Sequence, residues 1–181
     1  MCFFILAVLP KDADAEEVKA IFRAHGRRCV EAGGLSDGLL AGLAPGERLF
    51  HTTPGHCDCG TPLGRATSPG RDPAQAAGAT AARLRRKGWS EAKIARALAQ
   101  HAEAEARPPR PSGEPVPTSL AEWMTLIDAV RASNATPSLG LLWCELDDVV
   151  DATDRPRIPR AALDEDVLAR MRRAVIHDFT R

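Results

Sequence analysis

Residues 1–10, Met1-Cys-Phe-Phe-Ile-Leu-Ala-Val-Leu-Pro10, decide the fold class. Apolar side chains run from Cys2 to Leu9 without alternation, and a proline closes the run. Such a stretch fits a strand buried on both faces, and proline ends it because it has no N–H for the ladder. The stretch is too short to span a bilayer and lacks the basic residues that open a secretory signal. The expectation is a central strand in a cytoplasmic protein that engages no membrane, where thiols stay reduced.

Working outward, Asp14 stands three residues before Glu17 and opens a helix carrying Val18, Ile21 and Phe22 on one face, which Gly26 stops. A short strand is expected around Arg28–Glu31 and another over Leu49–Thr53. Two alanine-dominated helices should follow at about 74–87 and 90–106, with Gly88 between them and Ser90 capping the second. Residues 107–117, rich in proline, read as an extended linker. Ser119 with Glu122 opens an amphipathic helix bearing Leu120, Trp123, Ile127 and Val130. Leu139–Leu146 reads as a late strand. A charged helix from Ala161 to His177, with Val167, Met171 and Val175 inward, should close the chain. The sum is a single α+β or α/β domain over 1–181, a small sheet of roughly three to five strands covered by about five helices, with the Ala-rich pair 74–106 appended.

The 181 residues suffice for one complete core, and 44% hydrophobic with 27% charged residues is the balance of a folded globular chain. Formal net charge is zero, which argues against nucleic acid as a partner, because phosphate binding draws on surplus cations. The junction Arg83–Arg96 has the outline of a helix–turn–helix, but basic residues at a helix C-terminus also complement its dipole. Arginine exceeds lysine, alanine is abundant and tyrosine is absent, a coding bias of GC-rich bacteria.

The chemically distinctive loop is His56-Cys57-Asp58-Cys59-Gly60. Two thiols one residue apart can face one soft cation, and glycines at 55 and 60 let the backbone bend around it. His56 and His51 add imidazole candidates, and Asp58 an oxygen ligand or a hydrogen-bond acceptor behind the ligands. Four ligands within nine residues would form a cramped cage, so Cys57 and Cys59 are expected to be half a site for Zn²⁺ or another thiophilic metal. The rest can come from His51 or His56, from Cys2, Cys29 or Cys144, or from a second copy, making a homodimer.

The same sulfurs also allow a redox role through a strained, easily reduced disulfide, with His56 lowering a thiol pKa. A third reading takes them as structural thiols in a protein- or nucleic-acid-binding module without chemistry. Cys144, inside Leu141-Leu-Trp-Cys-Glu-Leu146, reads as a core thiol. Asp147, Asp148, Asp151 and Asp154 lack the glycine and terminal glutamate of a calcium loop and read as a solvated acidic stretch. No phosphate loop, His-Glu-x-x-His or Gly-x-Ser-x-Gly motif occurs, so no enzyme class is indicated.

Three segments together resemble a group of uncharacterised bacterial proteins with a Cys-Asp-Cys-Gly-Thr loop. They are the Met1–Phe4 start leading to Val8-Leu-Pro10, the segment His56–Gly64, and Lys87-Gly-Trp-Ser-Glu-Ala-Lys-Ile94. The resemblance covers short islands in the first half of the chain. It implies bacterial origin and brings no activity with it.

Overall fold

The computed structural model describes residues 2–53, 55, 57–59, 61–66, 78, 81–82, 84–106 and 119–180, with backbone alone at 65–66 and 101–106. Among them the opening run forms β1 (Phe4–Leu9), which is flanked on both sides by other strands. Its antiparallel neighbours are β3 (Arg48–His51), with Leu6 opposite His51, and β4 (Ser138–Cys144), with Leu6 opposite Leu142. Beyond β3 lies the short edge strand β2 (Val30–Glu31). Beyond β4 lie β6 (Ile176–Thr180), antiparallel, and β5 (Arg157–Pro159), parallel to β6. The sheet therefore has six strands in the order β2-β3-β1-β4-β6-β5, more than the three to five expected, within the mixed α and β class expected.

The unbroken apolar run in β1 follows from this position. Ile5, Ala7 and Leu9 face a core built with α1 (Ala15–Ala24) and α5 (Leu120–Ala132), through Val18, Phe22, Trp123, Ile127 and Val130. Leu6 and Val8 face a second, smaller core with Leu142 and Ile176, closed by Leu39 of α2 (Asp37–Leu40) and by Val150. A strand with no solvent face has no reason to alternate.

Local signals set the helix ends. Asp14 accepts from the backbone N–H groups of Glu16 and Glu17 and caps α1. At its other end Gly26 takes a positive φ of 69°, with Gly26 N–H on Arg23 O (3.0 Å) and Arg27 N–H on Phe22 O (2.9 Å). That paired closure turns the chain sharply and delivers Arg27 inward. Ser119 and Glu122 exchange both bonds of a capping box at the start of α5.

The closing helix expected over 161–177 is not formed. Residues 160–162 make one 3₁₀ turn, and α6 spans only Glu165–Ala169, capped by Asp164. The chain then enters β6, where Ile176 opposes Leu142 and Phe179 opposes Leu139. Met171 and Val175 are buried as their spacing indicated, but the long-range pairing with β4 outweighs local helical periodicity.

The chain divides into two compact units, one of Met1–Thr67 with Ser112–Arg181 and one of Ser68–Pro111. The first holds the sheet. In the second, α4 (Glu91–Ala106) follows a turn in which Gly88 has a positive φ of 78°. Arg85 pairs with Glu91 across that turn, and Lys93 lies 4.1 Å from the Trp89 ring centroid. Basic groups of the helix–turn–helix outline are thus engaged locally. The proline-rich linker 107–117 lies outside the described residues.

Candidate functional site

The Cys-x-Cys loop sits where β3 ends and the chain returns to the beginning of β1. Its middle residue is the anchor. Asp58 is wholly buried, and its Oδ1 accepts from Arg27 Nη2 at 2.7 Å with neither side chain exposed. Its Oδ2 accepts from the Ile5 backbone N–H at 2.9 Å and from the Thr53 hydroxyl. The Asp58 N–H in turn donates to Phe3 O at 2.8 Å. Both carboxylate oxygens are engaged inside the fold, so of its two expected roles, oxygen ligand or hydrogen-bond acceptor, Asp58 takes the accepting one, toward Arg27, Ile5 and Thr53.

Arg27 completes the anchor. Its Nη2 also donates to Thr52 Oγ1 at 3.1 Å, while that hydroxyl donates to Ile5 O at 2.6 Å. The guanidinium carbon lies 4.2 Å from the Trp123 ring centroid. Nε and Nη1 are buried without hydrogen-bond partners, so the indole face is their compensation. Burial pulls the Arg27 pKa down from its ordinary value, against the upward pull of Asp58.

Residues after the cysteines build the rest of the turn. Thr61 donates through N–H (3.0 Å) and hydroxyl (2.9 Å) to Asp58 O, and its Oγ1 accepts from Gly64 N–H at 3.2 Å. It thereby caps α3 (Pro62–Ala66), with proline at the first helical position and Leu63 in the main core. A Cβ added at Gly64 would fall on the Asp58 carbonyl oxygen, so no side chain fits there.

The motif therefore separates into two sets. Asp58, Thr61, Pro62, Leu63 and Gly64 each have a structural task. The sulfurs of Cys57 and Cys59 remain: both are free thiols, one half-buried and one exposed. Cys59 Sγ accepts from the Phe3 backbone N–H at 3.2 Å. Phe3 is itself pinned by the Trp143 ring at 5.0 Å and the Arg173 guanidinium at 5.4 Å, which fixes the approach of the preceding Cys2. Burial pushes the Cys57 thiol up to about 11; a backbone hydrogen bond at Cys59 opposes this, while the Cys59 thiol and Cys2 add to it. The environment given by the described residues thus holds Cys57 protonated at neutral pH.

Of the other expected ligands, His51 lies on β3 and packs edge-on to Phe4 with centroids 6.3 Å apart. By strand alternation it faces the opposite side of the sheet from Thr52, the residue that meets Arg27. Burial, then Arg28, lowers its pKa, with Asp58 opposing. His56 lies outside the described residues. Cys29 and Cys144 are buried, each pushed up to about 12 by burial, and Cys144 is the core thiol expected. Among the described residues no group of three or more His, Cys, Asp or Glu side chains is placed to hold a metal ion. The acidic stretch is consumed by pairs: Asp148 with Arg173 and Asp154 with Arg172, while Asp151 accepts from Thr153. Also among the described residues, no helix is long and apolar enough to cross a membrane.

Sequence reading missed Arg27. The usable signal was the polar pair Thr52-Thr53 directly after an apolar strand, which marks a buried polar junction, but nothing local names its partner. Compared with known proteins, the chain matches no family model, no curated protein and no solved structure.

Proposed function

We propose that this protein binds a thiophilic metal ion, zinc-like in its preference, through Cys57 and Cys59, and that of a structural and a sensing role the sensing one applies. The observation that supports this reading most is the division of labour in the turn. Of the described residues from Cys57 to Gly64, Asp58, Thr61, Pro62, Leu63 and Gly64 build the turn, while Cys57 and Cys59 keep free thiols, the latter accepting one amide N–H. Hydrogen bonds of Asp58 and Thr61 hold the turn together, so a metal on the sulfurs would not serve mainly as a folding staple. An amide N–H aimed at Cys59 Sγ is the kind of support that orients a metal-bound thiolate.

Two sulfurs are half of a tetrahedral set. Cys2 is a candidate for a third, since the residue after it donates to Cys59 and its charge is felt by Cys57. Closure of the set would accompany binding, as is usual when ligands must first lose protons. The raised Cys57 thiol favours this reading over a redox one: a low-pKa thiolate is what exchange chemistry exploits, and a bound cation offsets the cost of ionisation here. A reducing cytoplasm and a bacterial source remain consistent parts of the same proposal.

Elemental analysis of purified protein, followed by Co²⁺ titration, tests it. Stoichiometric metal, with thiolate-to-cobalt charge-transfer bands lost in a Cys57→Ser/Cys59→Ser variant and weakened in Cys2→Ser, is the expected result. A metal-free protein that develops no such bands, or a double variant that binds equally, overturns the proposal.

A further inference from the structure

Away from the cysteine loop, α5 carries a second buried arginine with a different standing. Arg131 is 5% exposed, and among the described residues none of its three guanidinium nitrogens has a hydrogen-bond partner. Its nearest acid is Asp128, 3.8 Å away, which is beyond hydrogen-bond reach. That carboxylate is already committed: Arg160 takes both of its oxygens, Nε at 3.0 Å and Nη2 at 2.9 Å. Two cations therefore share one anion, and the surplus positive charge belongs to the buried one. Among the described residues no aromatic ring covers the Arg131 guanidinium, in contrast to Arg27 under Trp123.

These groups line a cleft of about 480 Å³ with Thr125, Ala129 and Ala132, whose walls are mainly apolar. A buried guanidinium without partners is expensive, and such groups in native proteins call for an explanation by an ion or ligand. A guanidinium fork matches a planar or tetrahedral oxyanion through two parallel bonds. The apolar walls suit a short carbon body behind that head. Opening the Asp128–Arg160 pair costs little, because both side chains reach solvent. We infer that this cleft is a binding site for a small organic oxyanion, a carboxylate or phosphate ester, held by Arg131 and admitted as Arg160 swings from Asp128.

The test uses the full chain, with inorganic phosphate and propionate as separate probes at constant ionic strength set by sodium chloride. Calorimetry and the Arg131 Nε–H resonance report binding. Saturable binding of either probe, with a shift of that resonance, is expected, and the preferred probe tells phosphate from carboxylate. Arg131→Met should weaken it about tenfold or more, the value of a lost charge-assisted pair. That variant replaces an unpaired buried charge by an apolar group and should fold. Asp128→Asn, which removes the competing carboxylate, should bind several-fold more tightly and serves as the second variant. Absence of saturable binding by both probes, equal affinity in Arg131→Met, or unchanged affinity in Asp128→Asn each overturns the inference.

Discussion

Arg27 Nη2 and Asp58 Oδ1 meet at 2.7 Å with neither side chain exposed, joining the residue that follows α1 to the centre of the Cys-x-Cys turn. Burying two charges costs several kcal/mol each, and attraction offsets that only when other hydrogen bonds complete the pair. Here Ile5 and Thr53 complete the Asp58 side, while Thr52 accepts from the arginine and Trp123 covers it. The pair's value is therefore positional: it fixes the turn to β1 in one geometry.

Removing one partner should be far worse than removing both. Asp58→Asn is expected to cost about 3–5 kcal/mol, because Arg27 is left charged and uncompensated in the core. Arg27→Met should cost a comparable amount through the stranded carboxylate. The double variant should lose clearly less than the sum of the two, a coupling readable in a double-mutant cycle by urea unfolding. A single-variant loss below about 1 kcal/mol would contradict the burial of this pair.

Gly64 is required for space, not for backbone conformation. Its added Cβ would meet the Asp58 carbonyl, which is backbone and cannot swing away. Gly64→Ala should lose about 1–3 kcal/mol or more from forced overpacking, and should disturb the two cysteines because Asp58 carries them. Gly55 has open space around its Cβ position, so Gly55→Ala is the control and should stay within about 0.5 kcal/mol. Thermal unfolding of both variants checks the contrast; equal losses would refute it.

His177 on β6 gives a pH signature. Its Nδ1 lies 3.1 Å from Val175 O, and its Nε2 accepts from the Arg172 backbone N–H at 3.3 Å, an arrangement that requires the neutral ring. Burial lowers its pKa below the ordinary 6.5, with Arg172 helping and the Val175 bond, Asp154 and Asp178 opposing. On acidification the unfolded chain therefore takes the proton first. The stabilisation is fully present above about pH 6.5 and is lost as pH falls below it. Urea midpoints should drop between pH 7.5 and about pH 5.5, a range that stays above the carboxylate titrations. His177→Asn should flatten that drop in part, leaving the share of His51, whose pKa is also lowered. An unchanged slope would exclude His177 as a source.

Much of this was legible locally, and the remainder depends on distance in sequence. β1, the Asp14 cap, the Gly26 stop and the Ser119–Glu122 box are written in adjacent residues, where sterics and capping act alone. Val175–His177 reads as the tail of a helix because Val167, Met171 and Val175 keep helical spacing. Pairing with β4, more than thirty residues away, overrides it. The Cys57-x-Cys59 pair stands out in the sequence, yet the residue between the sulfurs reads equally as an oxygen ligand and as a hydrogen-bond acceptor. Only the approach of Arg27, thirty-one residues earlier, turns it into an anchor. Nothing in the residues beside Arg27 marks it as buried.

The thiols themselves offer the last discrimination. Cys57 is pushed up to about 11, and Cys29 and Cys144 to about 12, in each case chiefly by burial. The thiolate is the nucleophile, so alkylation at neutral pH should be slow at Cys57 and slower still at the two core thiols. Residue-resolved mass spectrometry after timed iodoacetamide pulses should show Cys57 labelling accelerate steadily through pH 9 and beyond, with Cys29 and Cys144 modified only on unfolding. Zn²⁺ or Cd²⁺ added in slight excess should suppress labelling at both Cys57 and Cys59, because a coordinated sulfur is no longer free to attack. Rapid labelling of Cys57 at pH 7, like that of an unperturbed thiol, would revive the redox reading. Undiminished labelling with either metal present would remove the main support for metal binding by this loop.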